Sequence, residues 1–446
     1  MCNITFVNHA SVLIEAEGIR LITDPWLEGR VFHNGWDLIA KSKFSFDDFA
    51  DITHIWFSHE HPDHFFPPNV KRIPEAMREK ICILYQQTAD QKVVDYCRNL
   101  GFRTQELPHH KWVELTPGFR VLCGPVPVYD SWLMLDAGGK CIVNLNDCEL
   151  NQINDIEPLQ QYLPRPVDLL LSQFGYASWK GNPEEKQARE DGAREILERL
   201  GAQASVLKPR YLLPFASLIY FCHEENSYLN DSINTIAGAA EYIQNQTQAT
   251  PVVMYPGETW SIGQLHDNAE PLARWQADYE TIPRDLQVSQ TVSWDDLQKH
   301  SAAYLARMRE KNNRLLVAAL SRIGFFPQLK IHLWDLDRVV AFDLRRGISP
   351  SDASAEDADV AMSSESLAFI FQFDWGMDTV YVNGRFRAAP EGFSRFIRTF
   401  ALGIMNNTGR RFGFGLILDW QYTRQSIVRL VRLLRGRKEA IEEYQV

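Results

Sequence analysis

A hexapeptide at residues 59–64, His-Glu-His-Pro-Asp-His, constrains the fold and chemistry of this chain more than any other feature. It directly follows the apolar segment ITHIWFS (52–58), which predicts a strand, so the hexapeptide is expected at a strand end. Three imidazoles and one carboxylate so close together offer no apolar surface to bury and would repel one another if they were protonated. A polar surface loop rich in histidine is the alternative interpretation.

Imidazole nitrogens and carboxylate oxygens are donors that divalent transition metals bind. Two histidines separated by one residue, His59 and His61, can face one ion. Asp63 and His64 lie further round the turn and are expected to face a second ion. The hexapeptide therefore predicts a site for two metal ions.

Short apolar segments and helical segments are interspersed in the first part of the chain. The predicted strands are ITFVNH, SVLIEA, IRLITD, ITHIWFS (52–58), KICILYQ (80–86), FRVLCGP (119–125), WLMLDA (132–137), KCIVNLN (140–146) and DLLLSQF (168–174). Helices are predicted over 89–101 and 183–201, and the second of these ends in glycine. Strands in runs with helices between them favour an α/β fold, a two-sheet sandwich flanked by helices.

Charge and local composition divide the chain into two predicted domains. Residues 1–265 are acidic and are expected to form the catalytic domain, 266–295 are polar and predict a linker, and 296–446 predict a C-terminal α+β domain. In that last domain we expect a helix over 297–322, strands at 367–373 and 378–386, and a basic helix near 423–436. An acidic loop is predicted at 349–359.

Composition excludes several classes of protein. The net charge of −11 argues against broad nucleic-acid binding. No run of eighteen apolar residues predicts a transmembrane segment, and the first residues do not resemble a secretory signal. Seven cysteines with no Cys-x-x-Cys pair favour reduced thiols, so we expect a cytoplasmic protein without a disulfide scaffold or a cysteine-rich metal site.

The hexapeptide resembles the HxHxDH signature of the metallo-β-lactamase fold. This resemblance implies an αββα sandwich with a dinuclear metal site along one edge. A dinuclear site needs more ligands from other strand ends. Asp147 ends the apolar segment KCIVNLND and is a candidate bridging ligand, with a turn-forming aspartate as the alternative. His223 follows an apolar stretch and is a candidate last ligand, with a buried core histidine as the alternative.

One expected ligand is missing from the sequence. In the metallo-β-lactamase fold a third histidine comes shortly before the bridging aspartate, but residues 119–147 contain no histidine. Asp130 is our candidate replacement, and Tyr129, His109 and His110 are the other side chains available. An added carboxylate shifts the preference of such a site from zinc toward iron or manganese.

Longer segments resemble the metallo-β-lactamase-fold portion of the CMP-N-acetylneuraminate hydroxylase family over roughly residues 3–265. They contain Asp24-Pro25-Trp26-Leu27, Asp130-Ser131, Asp147-Cys148, and Pro214-Phe215-Ala216 with His223. In that family the counterpart of Asp130 is also an aspartate, and the resemblance implies an iron-using oxygenase-like enzyme acting on a polar substrate. The Cys-x-His and Cys-x-x-His pairs of that family's Rieske domain are not found here. Electrons are therefore expected from another protein or from the substrate, and sialic acid is not carried over as substrate.

Other residues are candidates for supporting roles. Asp24 could accept a hydrogen bond from a metal-bound imidazole or simply form a turn, and His9 could line the pocket or pack in the core. Loop residues that could rim a substrate pocket are His33, Trp36, Tyr129, Tyr176, Trp179 and Lys180. The basic C-terminal helix is expected to pack on its own domain, to dock an acidic electron-donor protein, or to meet a membrane surface.

Together these features favour a dinuclear enzyme of the oxygenase or oxidase class, with two divalent ions, a small polar substrate and molecular oxygen as co-substrate. Iron is the expected metal, and zinc and manganese are the alternatives. The second candidate is a hydrolase in which the paired ions lower the pKa of a bridging water. The third candidate is a protein that holds a metal for structure alone. It is the least favoured, because this site has too many ligands for a single tetrahedral ion.

Overall fold

The computed structural model describes residues 1–88, 90–126, 130–407, 409–413 and 415. The chain divides into two compact units, Met1–Gln287 and Val288–Val446. The first unit extends beyond residue 265, because the segment expected as a linker contains the helix Ala269–Tyr279. Trp275 of this helix is completely buried, and its ring lies edge-on to that of Phe6.

Sixteen strands of the first unit form two seven-stranded sheets and one two-stranded sheet. They are β1 (Asn3–Asn8), β2 (Ser11–Ala16), β3 (Ile19–Thr23), β4 (Trp36–Leu38), β5 (His54–Trp56), β6 (Cys82–Gln86), β7 (Arg103–Leu107), β8 (Val113–Thr116), β9 (Phe119–Val126), β10 (Asp130–Ala137), β11 (Lys140–Asn144), β12 (Leu169–Gln173), β13 (Tyr211–Phe215), β14 (Ile219–Phe221), β15 (Thr250–Pro251) and β16 (Thr259–Ser261). All nine predicted strands of this part are present.

The first sheet has the order β16-β1-β2-β3-β5-β6-β7, and the second has the order β15-β13-β12-β11-β10-β9-β8. In each sheet one half is antiparallel and the other half, β3-β5-β6-β7 or β11-β12-β13-β15, is parallel. Strands β4 and β14 pair separately.

Helices flank the two sheets. They are α1 (Pro67–Arg72), α2 (Glu75–Arg78), α3 (Lys92–Asn99), α4 (Ile153–Ile156), α5 (Lys186–Leu207), α6 (Ile236–Gln246) and α7 (Ala269–Tyr279), with 3-10 turns at Phe46–Asp51, Glu157–Tyr162 and Ser227–Ser232. One apolar core joins the two sheets and includes Ile4, Leu133 and Leu200, and a second core packs Ile55 and Val94 on the other face of the first sheet. The layers form the αββα sandwich that the sequence predicted.

The strand directions bring polar ends to one edge of this sandwich. The parallel strands β3, β5 and β11 end just before Asp24, Ser58 and Asp147. Strand β10 runs antiparallel to β11, so its first residue, Asp130, lies at the same end. The candidate ligands from distant parts of the sequence therefore share one edge.

The second unit is an α+β domain with a five-stranded sheet of order β19-β18-β17-β20-β21. Its strands are β17 (Leu329–Leu333), β18 (Arg338–Asp343), β19 (Gly347–Pro350), β20 (Val360–Met362) and β21 (Arg387–Ala388). Its helices are α8 (Trp294–Lys311), α9 (Arg314–Arg322), α10 (Ser364–Gln372), α11 (Gly376–Asn383) and α12 (Gly392–Asn407), with a 3-10 turn at Ala355–Asp357. The helix predicted over 297–322 is two helices, because Asn313 caps the second by accepting a hydrogen bond from the Leu316 N–H.

The strands predicted at 367–373 and 378–386 are wrong, since these segments lie largely in α10 and α11. Their aromatic and β-branched residues favour strands locally. The Ser363 side chain caps α10, and Gly384 ends α11 with a positive φ of 68°. Leu367, Phe371 and Val380 are buried, so tertiary packing overrides the local preference.

The basic helix predicted near 423–436 lies outside the described residues. Among the residues that the structure describes, no helix is both long and apolar enough to cross a lipid bilayer.

Candidate metal centre

Three strand ends around the hexapeptide share an unusual backbone conformation. His9 and Asp24 have φ angles of 38°, and Asn146, directly before Asp147, has a φ of 39°. Such left-handed conformations are uncommon for residues other than glycine and concentrate at functional sites. Here they turn the chain sharply where each strand meets the edge of the sandwich.

Two groups of side chains gather at this edge, each with its donor atoms within 4.8 Å of one another. We call His9, Asp63 and His64 the inner group, because all three are buried. We call His59, His61 and Asp147 the outer group, because His61 and Asp147 keep part of their surface exposed. Two residues of the hexapeptide lie in each group, and their role as metal ligands stays a prediction.

His64 is the central residue of the inner group. Its Nε2 lies 3.3 Å from Oδ2 of Asp63 and 3.4 Å from Oδ1 of Asp147. Its Nδ1 lies 2.9 Å from Oδ2 of Asp24. Oδ2 of Asp24 also accepts the Ser58 hydroxyl, and Oδ1 accepts the Ser58 N–H. A proton on Nδ1 would be donated to Asp24, which orients the ring and leaves Nε2 for a metal ion.

His9 orients Asp63 in a similar way. The backbone N–H of Leu218 donates to Nδ1 of His9 at 3.3 Å, so in the neutral ring the proton is on Nε2. That Nε2 lies 3.2 Å from Oδ2 of Asp63 and donates to it. His9 therefore serves Asp63 as a hydrogen-bond donor, and the metal donors on this side are Asp63, His64 and Asp147.

The outer group brings two imidazoles and a carboxylate together. Nε2 of His59 lies 2.9 Å from Nδ1 of His61 and 3.9 Å from Oδ2 of Asp147. Asp147 thus directs Oδ1 toward the inner group and Oδ2 toward the outer group. This is the arrangement that a ligand bridging two ions requires.

Asp130 lies next to the outer group but belongs to neither group. Its Oδ1 is 3.3 Å from Nδ1 of His59 and accepts the N–H of Ser131 at 2.6 Å. The thiol of Cys148 also hydrogen-bonds to this carboxylate. The role of Asp130 as a direct metal ligand stays a prediction. Its contact with His59 would also allow it to orient the His59 ring.

Three buried polar atoms test whether these residues fit metal ions. Asp63 Oδ1, His64 Nε2 and Asp147 Oδ1 have no hydrogen-bond partner among the described residues. Buried polar atoms are normally hydrogen-bonded, because the loss of hydration otherwise costs roughly 1–3 kcal/mol each. Bound cations would give these donors partners, so the residues fit the metal centre that the hexapeptide predicted.

The electrostatics of the metal-free residues differ between the two groups. Burial lowers the pKa of His64, but the charges of Asp147 and Asp63 outweigh it and hold this pKa well above the ordinary value. Burial raises the pKa of Asp63, but His64 and His9 outweigh it and hold the pKa well below its usual range. Burial and the charge of His64 lower the pKa of His59. A proton on His64 thus supplies positive charge where a metal ion would.

Among the carboxyl groups, Asp147 and Asp130 shift in opposite directions. The charges of His64 and His59 overcome the effect of burial and lower the pKa of Asp147. Burial and the negative charge of Asp147 raise the pKa of Asp130 well above its usual range. Asp147 therefore stays ionised, and Asp130 accepts a proton readily when no metal is bound.

The remaining predicted site residues lie in several places. His223 is buried, its Nδ1 accepts the N–H of Glu225 at 3.2 Å, and it is in neither group. Trp36 and Tyr176 lie in the interior rather than at a rim, each with its ring near Phe221. Trp179 is also buried, whereas His33 and Lys180 are partly exposed. Tyr129 lies outside the described residues.

Sequence reasoning missed several residues that hold the ligands in place. Ser58 contacts Asp24, His59 and His64, and its carbonyl accepts the hydroxyl of Ser131 at 2.7 Å. Asn146 ties the two strands together by donating to the Ser131 carbonyl at 2.8 Å. In the sequence, the only indication of a role for Ser58, Ser131 and Asn146 is that each directly neighbours a predicted ligand.

Comparisons with known proteins agree with this fold. Residues 3–151 match the family model of the beta-lactamase superfamily domain. A curated relative, the cytidine monophosphate-N-acetylneuraminic acid hydroxylase of Danio rerio, is 25% identical over 260 residues, which is 53% of this chain and 42% of the relative. The chain thus spans less than half the length of this relative.

Two solved structures are also similar. CmlA, a diiron β-hydroxylase from Streptomyces venezuelae, has 15% identity and a TM-score of 0.41, and the match covers 58% of this chain and 54% of CmlA. Igni18, a metallo hydrolase from Ignicoccus hospitalis, has 16% identity and a TM-score of 0.40, with 58% of this chain and 97% of Igni18 covered. Residues 3–151 match this family model, and the two packed sheets of the first unit form the αββα sandwich of the metallo-β-lactamase fold.

Proposed function

We propose that this chain is a dinuclear metal enzyme that uses iron and molecular oxygen to oxidise a small polar substrate. The observation that carries the proposal is the shared carboxylate of Asp147, with one oxygen facing His64 and the other facing His59. It links the buried inner donors and the partly exposed outer donors into one centre.

The donor set favours iron. His59, His61 and Asp147 offer two imidazoles and one carboxylate, a combination that non-haem iron oxygenases use. The inner side offers His64 with Asp63 and Asp147, so carboxylates outnumber imidazoles there. Hard oxygen donors of this kind favour iron or manganese over zinc. Asp130 would add a further carboxylate if it joins the outer group.

The similarity to a hydroxylase supports the same reaction class. The family model matches residues 3–151, which include the hexapeptide, Asp130 and Asp147. Because this chain spans 42% of that relative, the reaction and the substrate remain our proposal.

The inner and outer groups would have different roles in the reaction. The buried inner donors would hold one ion away from solvent, and the partly exposed outer donors leave room for substrate to approach. When bound, the iron ions would supply the activation of molecular oxygen. The net reaction converts R–H, O2, two electrons and two protons into R–OH and water, so a reductant is needed. An acidic electron-donor protein remains the predicted source of these electrons.

The same residues could also hold two zinc ions. Zinc would lower the pKa of a bound water and give a hydrolase, the alternative function. Fold alone does not decide between the two reactions.

Metal content and oxygen consumption distinguish the two functions. The protein is expressed with iron and zinc supplied equally, and its metals and its near-ultraviolet and visible spectrum are measured. We expect about two iron ions per chain, iron-dependent absorption, and oxygen uptake with a chemical reductant. Two zinc ions with no oxygen uptake after loading with iron would contradict the proposal and favour the hydrolase.

A further inference from the structure

Arg199 on α5 and Lys180, whose stem contacts α5 at Gly192, are two cations without an ion-pair partner among the described residues. Arg199 on α5 is 7% exposed and donates to the side-chain oxygens of Asn151 and Gln173, which are neutral amides. Lys180 is surrounded by protein but keeps part of its surface open to solvent. Among the described residues no carboxylate lies within 4.0 Å of either cation. Buried charges are normally paired, so this arrangement needs an explanation.

A glycine in the middle of α5 makes room for Lys180. A Cβ atom at Gly192 would lie 2.9 Å from Cδ and 3.1 Å from Cγ of Lys180. Glycine in a helix interior costs about 1 kcal/mol relative to alanine. The helix accepts this cost at the one position where the Lys180 stem crosses it, which fixes the lysine against α5.

Arg199 follows Gly192 by about two helical turns, so it lies on the face of α5 that the Lys180 stem contacts. Burial is the largest influence and lowers the pKa of Lys180, and the charge of Arg199 lowers it further. Glu195 and Glu149 act in the opposite direction without reaching ion-pair distance. Glu149 also acts on Arg199, but among the described residues neither cation has a carboxylate at ion-pair distance, and Lys180 keeps part of its surface open to a ligand.

The face of α5 that carries Arg199 contacts the loop that follows Asp147. Arg199 holds Asn151, and Gln203, one turn further along α5, donates to the carbonyl of Leu150 at 3.4 Å. The charges of Asp147 and Asp130 also act on Arg199. The same face of α5 thus supports the bridging ligand and presents Lys180.

We propose that Lys180, backed by Arg199, binds a small oxyanion, either a carboxylate or a phosphate group. We further infer that this anion is part of the substrate at the metal centre, a point that rests on the proposed function. An anionic group held there would supply the missing counter-charge and fix the substrate beside the Asp147 loop.

Selective acetylation of amines tests the site on the metal-loaded protein. Acetic anhydride is added at about pH 8, well below the ordinary lysine pKa, and each lysine is followed by mass spectrometry with increasing inorganic phosphate or acetate. We expect saturable protection of Lys180. Lys186, the first residue of α5, is exposed and pairs with Glu190, so it is the matched control and should show no protection.

Two variants keep the result interpretable. Lys180→Gln should weaken binding of the protecting anion, measured by calorimetry, by about tenfold or more, whereas Lys186→Gln should leave it unchanged. Gly192→Ala keeps every charge but displaces the Lys180 stem, so protection should require a higher anion concentration. Metal content should be unchanged in all three variants.

The outcomes separate the two parts of the inference. Protection by phosphate alone assigns a phosphate group, and protection by acetate alone assigns a carboxylate. Failure of both anions to protect Lys180, or unchanged anion affinity in Lys180→Gln, would overturn the proposal. Because acetylation does not depend on turnover, protection of Lys180 in a protein that binds no iron would contradict the proposed function alone.

Discussion

The inner and outer groups of the metal centre differ in how the fold holds them. His9, Asp63 and His64 are all buried, and each is fixed by a neighbour outside the hexapeptide or by another member of the group. The outer group is more open, since the side chain of Asp147 is 20% exposed. One side of the centre is therefore built for retention of an ion and the other for access.

Hydrogen-bonding partners explain this difference. Asp24 is completely buried, and its two oxygens accept from Ser58 and face His64. The ring of His59 contacts Ser58 at 3.0 Å and Asp130 at 3.3 Å, and the side chain of Asp130 is 17% exposed. Partners that orient a metal ligand typically change metal affinity by 10–100-fold. The following changes test whether the two groups are as distinct as their geometry indicates.

Removing the shared carboxylate should have the largest effect. Asp147→Ala removes a donor from both groups, so we expect loss of both metal ions and of all oxygen consumption. Asp51 is exposed, so Asp51→Ala is the control variant and should retain both ions. Metal analysis after dialysis gives the answer, and retention of two ions by Asp147→Ala would show that the carboxylate does not bridge.

Asp24→Asn should affect the inner group alone. It removes the negative charge that holds Nδ1 of His64, so affinity for the inner ion should fall by roughly 10–100-fold while the outer ion stays bound. Competition with a chromophoric chelator measures the two affinities separately. Equal weakening of both ions would contradict the separation of the groups.

Asp130→Ala tests the outer group. If Asp130 is the carboxylate ligand that the sequence predicted, one ion should be lost and the inner ion kept. Full occupancy would instead leave Asp130 with the role of orienting His59. Asp130→His is the companion variant, because it restores the histidine usual in the fold and should shift metal preference toward zinc.

Titration of the metal-free protein should show the smallest effect. His64 has a raised pKa, so it binds more protons in the folded than in the unfolded chain, and its contribution to stability is lost as the pH rises above about 6.5. His59 has a lowered pKa, so its neutral form is favoured and stability falls as the pH drops below about 6.5. The pKa values of both rings are measured from their imidazole resonances in NMR spectra. Similar pKa values for the two rings would contradict the electrostatic difference between the groups.

The candidate metal ligands could be predicted from the sequence, whereas two strands predicted in the second unit are wrong. His59, His61, Asp63 and His64 could be recognised because four metal donors occur within six residues at a strand end. Asp147 followed from its position after another apolar strand. Strand ends in a parallel sheet meet at one edge, so local sequence carried information about a distant arrangement.

Other features depend on tertiary contacts that local sequence does not contain. The tautomer of His9 follows from the Leu218 N–H, which is 209 residues away. The slot for Lys180 depends on Gly192 in the following helix. In the second unit, α10 and α11 have strand-like composition but are helical because their apolar side chains are buried in the packed domain.

A crystal structure of the metal-loaded protein, with anomalous scattering measured at the iron and zinc edges, tests the central claim most directly. We predict two iron ions joined by Asp147, one bound by His59 and His61 and the other by Asp63 and His64, with His9 donating to Asp63. A single ion, or two ions that do not share Asp147, would contradict this account.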